Sequence, residues 1–225
     1  MGKDNRLSTD TAEVLHTMVK VGLGAIPYAG GAASEVFDLL FQSPVSKRRD
    51  QWIIEIAEGL NMIENKVQDF SIKKLAENEE FISLLLQASH IAMRTHQEEK
   101  LLALKNAVLN TAEGVEIEDV EQSMFINLID RLTPLHIKLL VFFKKPTEYL
   151  QDLQNQSFTS ITQFLHMVFP NEEMDLIEVV MKDLAGMNLL PDIGLRTMMT
   201  SSGVTASRTT SFGIKFLEFI TREEA

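Results

Sequence analysis

Cysteine is absent from this chain of 225 residues. Thiolate nucleophiles, disulfides, CxxC redox pairs and cysteine zinc sites are therefore excluded. A chain of this length buries enough apolar surface to fold without such cross-links. Residues 1–20 mix charges of both signs and lack the apolar stretch of a secretion signal. We therefore expect a cytoplasmic protein, with a peripheral membrane location as the alternative.

Basic residues are scarce relative to acidic ones. The sequence has 21 lysines and arginines against 32 aspartates and glutamates, which gives a formal net charge of -11. A negative surface field repels polyanions and slows their encounter. We therefore do not expect nucleic acid as a partner, although a local basic face would act against this trend.

The sequence also lacks recognisable catalytic and metal-binding motifs. None of its five histidines forms an HExxH pair, and no GxSxG or GK[ST] phosphate-binding motif occurs. The carboxylates lie singly on polar helix faces rather than as an inward-facing pair. We therefore expect a protein that is not an enzyme, with no catalytic residues, no cofactor and no metal ion.

What is present, between residues 46 and 131, is the apolar spacing of amphipathic helices. The first stripe consists of Trp52, Ile56, Leu60, Ile63 and Val67. Two further helices meet near Thr95, and a later helix carries Ile117, Val120, Met124, Leu128 and Leu132. We interpret these oily positions as helix-to-helix contacts, so residues 46–131 are predicted to form a helical bundle.

A second domain is predicted from residue 132 to residue 225. Thr133-Pro134 is a helix start signal, because Thr caps free amides and Pro at the first turn needs no donor. Short apolar helices ending at Pro146 and Pro170 are followed by a capped helix from Asn171 to about Gly186.

The segment after that helix changes character. Residues 196–213 are rich in Ser, Thr and β-branched residues around a central glycine, which favours a β-hairpin or a flexible loop. A closing apolar helix follows. Short helices, a hairpin and a last helix predict a winged-helix-like domain, and the fold class is mainly α with one small hairpin.

Residues 1–45 are predicted to form a third region, which consists of an N-terminal helix and a glycine-rich apolar segment. Within it, residues 21–34 carry no charge. They include Gly22, Gly24, Gly30 and Gly31. Fourteen uncharged residues are too few to span a bilayer as a helix. One interpretation is a tight turn between packed helices. The other is an assembly segment, or one that inserts into a membrane on activation.

The predicted wing has a mild positive charge. Residues 193–217 contain Arg196, Arg208 and Lys215 and no acid, so these side chains are candidates for contact with phosphate or with a protein. The helix that would enter a DNA groove, residues 171–187, instead carries five acids against Lys182 alone. Its like charge disfavours DNA.

Two short phrases, TSFGIKF at residues 210–216 and FINLIDRLTP at residues 125–134, stand in order after the glycine-rich start and the basic aromatic phrase KRRDQW. In this order the chain resembles the bacterial abortive-infection alpha proteins, which have a glycine-rich start, a helical middle and a winged-helix-like end. It departs from them in having no tryptophan at residues 104–108. The resemblance implies a role in bacterial defence against phage and supplies no catalytic residue.

Three functional hypotheses follow from the sequence. The leading one is a protein that binds an unidentified protein partner or assembles with copies of itself, in the setting of phage defence. The second is a membrane-active effector that uses the glycine-rich segment. The third is a winged-helix DNA-binding regulator.

Overall fold

The computed structural model describes residues 43–115, 117–152, 158–195 and 199–222. These residues are mainly helical. They divide into two compact units. The first unit runs up to Arg131 and takes in the chain again from Phe219, and the second runs from Leu132 to Glu218.

Eleven helices are formed by the described residues. They are α1 (Ser43–Lys66), α2 (Ile72–Leu75), α3 (Glu79–Arg94), α4 (Glu98–Ala112), α5 (Asp119–Arg131), α6 (Pro134–Lys144), α7 (Glu148–Asp152), α8 (Ile161–Val168), α9 (Met174–Gly186), α10 (Ser201–Val204) and α11 (Ser211–Ile220).

The first unit is a bundle in which α1, α3, α4 and α5 pack on one another. The predicted stripe of α1 is buried as far as Ile63, and α3 ends next to Thr95 as expected. Gly59 of α1 faces α4, since a Cβ there would meet the Leu109 side chain at 2.6 Å. Val67 is an exception, because α1 ends one residue before it and leaves it exposed.

Buried polar side chains in this bundle have hydrogen-bond partners. The Trp52 indole N–H donates to the Ser89 hydroxyl over 2.9 Å, and that hydroxyl donates to the Leu85 carbonyl. The Lys100 ammonium donates to the Asp130 carbonyl over 2.7 Å. Because burial is unfavourable for its charge, the pKa of Lys100 is lowered.

The end of the chain is tied into the first unit by α4. The side-chain amide of Asn110 donates to the carbonyls of Phe219 (2.9 Å) and Thr221 (3.0 Å), while Asn106 donates to Ile220 (2.9 Å). The Arg222 guanidinium donates to the Asn110 oxygen over 2.9 Å. These bonds satisfy carbonyls that the end of a helix leaves without partners.

In the second unit, helices α6 and α9 pack together, and an aromatic cluster fills part of the core. The Phe142 ring lies 5.0 to 5.8 Å, centroid to centroid, from four other rings, those of Phe143, Tyr149, Phe164 and Phe169. The helix predicted to start at Thr133-Pro134 begins there, and the helices predicted before Pro146 and Pro170 are present as α6 and α8. Helix α9 starts at Met174 with Glu173 as its N-cap, rather than at Asn171.

The predicted β-hairpin is wrong for the described part of residues 196–213. Those residues contain no strand, so they do not form the β-hairpin that a winged-helix domain requires. The hydroxyl-rich residues cap helices instead. The Thr200 hydroxyl accepts from the Gly203 N–H and starts α10, and the Thr210 hydroxyl accepts from the Gly213 N–H at the start of α11.

Candidate interaction surface

Helix α5 leaves apolar side chains uncovered. Its buried face is formed by Phe125, Ile126, Leu128 and Ile129. Val120 is 68% exposed and Met124 is 48% exposed. The sequence-based prediction that these two residues hold helices together is therefore wrong, because a different stripe of α5 faces the core.

The exposed apolar pair belongs to one stripe along α5. With 3.6 residues per turn, residues 120, 124, 127 and 131 fall on the same side of the helix. Asn127 and Arg131 on this stripe are also exposed. The stripe thus runs from Val120 through Met124 and Asn127 to a basic end at Arg131.

Beside this stripe, a groove of about 320 Å³ lies between α3 and α5. Apolar side chains of Leu84 and Ile126 form part of its lining. The remaining lining residues are polar or acidic, and they are Glu79, Glu80, Ser83, Gln87, Asp119, Gln122 and Ser123. The groove is therefore negative, and it contains no imidazole.

The three carboxylates of the groove come from the first turns of two helices. Glu79 and Glu80 begin α3, and Asp119 begins α5. Acids at helix N-termini interact favourably with the helix dipole. All three are exposed, and none takes part in an ion pair within the described ranges. Their negative charge is thus open to a cationic group from outside.

The four glycines singled out from the sequence, Gly22, Gly24, Gly30 and Gly31, lie outside the described residues, as does Arg196. Lys215 is exposed on α11.

Arg208 is half-buried and engaged by its own loop. Its guanidinium donates to the carbonyls of Gly203, Val204 and Ala206. Burial lowers the pKa of Arg208. These contacts organise the loop before α11, so a phosphate would have to compete with three carbonyls for the same donors.

A hydroxyl, an imidazole and a carboxylate also line up in the second unit. The Thr133 hydroxyl lies 2.8 Å from His136 Nδ1, and His136 Nε2 lies 3.6 Å from Asp183 Oδ2. The Thr133 backbone N–H also donates to Nδ1 over 3.2 Å, which places the imidazole proton on Nε2.

This arrangement matches a capping box better than a catalytic triad. His136 occupies the third helical position, where a side chain accepts from the N-cap backbone. The distance to Asp183 exceeds that of a good hydrogen bond, and neither the groove between α3 and α5 nor the cleft beside α9 is lined by Thr133 or His136. Burial lowers the pKa of His136, against the opposing charge of Asp183.

Helix α9, the predicted groove-reading helix, also carries exposed apolar residues, Leu176 and Val179. Two of its acids are already engaged, because Glu178 accepts from Lys182 over 2.9 Å and Asp183 faces His136. The cleft beside α9 is also small, at about 100 Å³. The α5 surface therefore has more room beside it than the α9 surface.

No group of three histidine, aspartate or glutamate side chains in the described part of the chain is placed to hold a metal ion. None of its helices is long and apolar enough to cross a membrane.

Comparisons with known proteins found no similarity to place beside this geometry. No protein family model matches the sequence, and no curated protein and no solved structure matches it.

The groove could not be located from the sequence, since its two walls are separated along the chain by the whole of α4. The sequence nevertheless contains a pattern that indicates which face of α5 is buried. Phe125, Leu128, Ile129 and Leu132 form a compact helical pattern of larger side chains. That pattern competes with the stripe through Val120 and Met124, and it is the one that the fold buries.

Proposed function

We propose that this chain is a protein-interaction protein, and that it binds its partner through the outer face of α5. The observation that carries the proposal is the exposure of Val120 and Met124 on one stripe of a helix whose opposite face is fully packed. Exposed apolar groups beside a polar rim are typical of docking sites, because burial against a partner removes them from water.

The surroundings of this stripe support binding rather than chemistry. The adjacent groove offers carboxylates, hydroxyls and amides, but no base positioned against a nucleophile. The carboxylates of this groove and the exposed side chains of Val120 and Met124 together give the combination of polar and apolar surface that protein interfaces use.

The test is affinity capture by the full-length protein from extracts of its native cells, followed by light scattering of the complexes. The perturbed variant is Val120→Ser with Met124→Ser, which removes apolar surface without adding charge. The matched control is Leu176→Ser with Val179→Ser, because these side chains are also exposed, at 48% and 55%. Circular dichroism establishes that both variants are folded.

We expect wild type and the α9 control to form the same complexes, with a partner or between copies. The α5 variant is expected to lose them. A wild-type protein that stays monomeric and alone in extract would refute the proposal. Loss of the complexes in the α9 variant alone would refute the choice of surface.

The setting of phage defence rests on the short phrases at residues 125–134 and 210–216. Deletion of the gene in its native host, followed by phage challenge, tests that part separately. We expect phage yield to rise in the deletion strain and to return to its starting level with wild type, but not with the α5 variant. Equal phage yields in all strains would remove the defence role and leave the binding role standing.

A further inference from the structure

The structure points to the chemistry of the partner: we infer that the α5 surface takes a basic amphipathic helix. This inference rests on the proposed function and adds the class of occupant. The apolar stripe on α5 and the acidic groove beside it together define what such a helix has to present.

The shape of the exposed face of α5 suits a helical partner. Val120 and Met124 are one turn apart on α5, so they form a short ridge along its axis. A helix laid along that ridge covers both with apolar side chains spaced three and four residues apart, as in other helix-in-groove complexes. The groove between α3 and α5 then lies at the flank of the bound helix, within reach of a long side chain.

The charge of the groove between α3 and α5 suits a basic partner. Glu79, Glu80 and Asp119 all line the groove, and none has an ion-pair partner within the described ranges. A lysine or arginine that projects from the edge of the bound helix can place its cation among these carboxylates. An acidic helix, an anionic membrane surface or a nucleic acid would instead meet like charge.

The bound helix also acquires a direction. The apolar ridge has the acidic groove near its start and Arg131 at its far end. The cationic end of the partner helix is therefore expected over the N-termini of α3 and α5. A carboxylate at the other end would pair with Arg131.

The test uses fluorescence anisotropy with the full-length protein and fluorescein-labelled 18-residue helical peptides as probes. The first peptide carries leucines at helical spacing flanked by arginines. The second replaces the arginines by glutamates. The third has the composition of the first in scrambled order, which removes its apolar face and controls for attraction to a chain with a formal net charge of -11.

The groove is perturbed by Glu79→Gln, Glu80→Gln and Asp119→Asn in one variant, which keeps the side-chain shapes. Its control is Glu98→Gln, which neutralises an acid in the first turn of α4, away from the groove lining. We expect the first peptide to bind wild type and the control equally. We expect the groove variant to bind it about tenfold more weakly, since it loses three exposed charge pairs that each contribute only modestly.

Three results would overturn the inference: equal binding of the basic and acidic peptides, equal binding of the ordered and scrambled basic peptides, or unchanged affinity in the groove variant. The proposed function fails separately. If Val120→Ser with Met124→Ser abolishes the native complexes while the groove variant keeps them, the surface is correct and the basic occupant is wrong. If neither variant affects those complexes, both proposals fail.

Discussion

Asn110 offers the sharpest test of how the first unit holds the end of the chain. Its side-chain amide donates to the Phe219 carbonyl at 2.9 Å and to the Thr221 carbonyl at 3.0 Å. Its side-chain oxygen accepts from Arg222 at 2.9 Å. Asn110 is itself buried, so Asn110→Ala removes all three bonds from a site that water does not readily refill.

The expected loss can be estimated from these bonds. A buried carbonyl left without a donor costs about 1–3 kcal/mol, and this applies to Phe219. Thr221 is exposed and can bind water instead, and Arg222 keeps its ion pair with Glu113 at 2.9 Å. Asn110→Ala is therefore expected to lower the free energy of unfolding by about 2–4 kcal/mol.

The assay is urea unfolding followed by the fluorescence of Trp52, the single tryptophan of the chain. Trp52 is 3% exposed in the first unit, so its emission reports on that unit. A loss of about 3 kcal/mol moves the midpoint by about 1.5 M if the urea dependence is about 2 kcal/mol per molar. Asn127→Ala is the matched control, because Asn127 is an exposed helical asparagine that donates to the Ser123 carbonyl of its own helix over 2.9 Å.

Both alanine variants gain the same helix propensity, so the difference between them isolates the buried bonds. The control is expected to stay within about 0.5 kcal/mol of wild type. If Asn110→Ala shifts the midpoint no more than Asn127→Ala does, the bonds to residues 219–222 do not hold the chain end, and the reasoning is refuted.

Two further predictions concern the second unit. Because the folded-state pKa of His136 is lowered, the unfolded chain binds the His136 proton more readily than the folded chain does. The free energy of unfolding should therefore decrease as the pH falls from above the ordinary pKa of 6.5 through the lower folded-state pKa. His136→Gln keeps an acceptor for the helix cap and should flatten this pH dependence in chemical unfolding, whereas His166→Gln, at an exposed site, should not. The same dependence of unfolding free energy on pH in wild type and both variants would refute the assignment of the effect to His136. Gly213→Ala should lower the thermal midpoint strongly, since its Cβ would clash with the Leu189 carbonyl oxygen. Gly186→Ala, whose Cβ would meet no described residue within 4 Å, should be neutral or stabilising by up to about 1 kcal/mol. Equal midpoints for the two alanine variants would mean that the close approach at Leu189 is relaxed at no cost.

Helical periodicity predicted those elements whose burial is one-sided. The stripe from Trp52 to Ile63 is buried as its spacing requires, and the start at Thr133-Pro134 follows from local capping chemistry. Both signals are local, so one sequence is enough to read them. The closing helix was likewise visible from its apolar residues.

The errors have local causes as well. Helix α5 carries two overlapping apolar stripes, and spacing alone does not say which of them the bundle covers. In the C-terminal segment, threonine favours strands by propensity but also caps helices, and the caps at Thr200 and Thr210 prevail.

The phrase at residues 210–216 acquires a structural explanation from the same contacts. Thr210 caps α11, and Gly213 allows the backbone of Leu189 to approach closely. Phe216 is fully buried. These roles belong to packing, so the phrase by itself indicates how the segment folds rather than what it binds.

The groove was beyond the reach of the sequence for a different reason. Glu79 and Asp119 become neighbours only when α3 packs on α5. In the sequence, each appears as an ordinary acid in the first turn of a helix. That neither of them forms an ion pair with another described residue is a tertiary property that no local pattern records.

The most direct test of the α5 docking surface is photo-crosslinking in living native cells. A benzophenone amino acid replaces Asn127, which is exposed on the same stripe as Val120 and Met124. The same probe at Val179 on α9 is the control. We predict one discrete adduct from position 127, formed with a segment that carries basic and apolar residues at helical spacing. An adduct from position 179 and none from position 127 would contradict the assignment of the docking surface to α5.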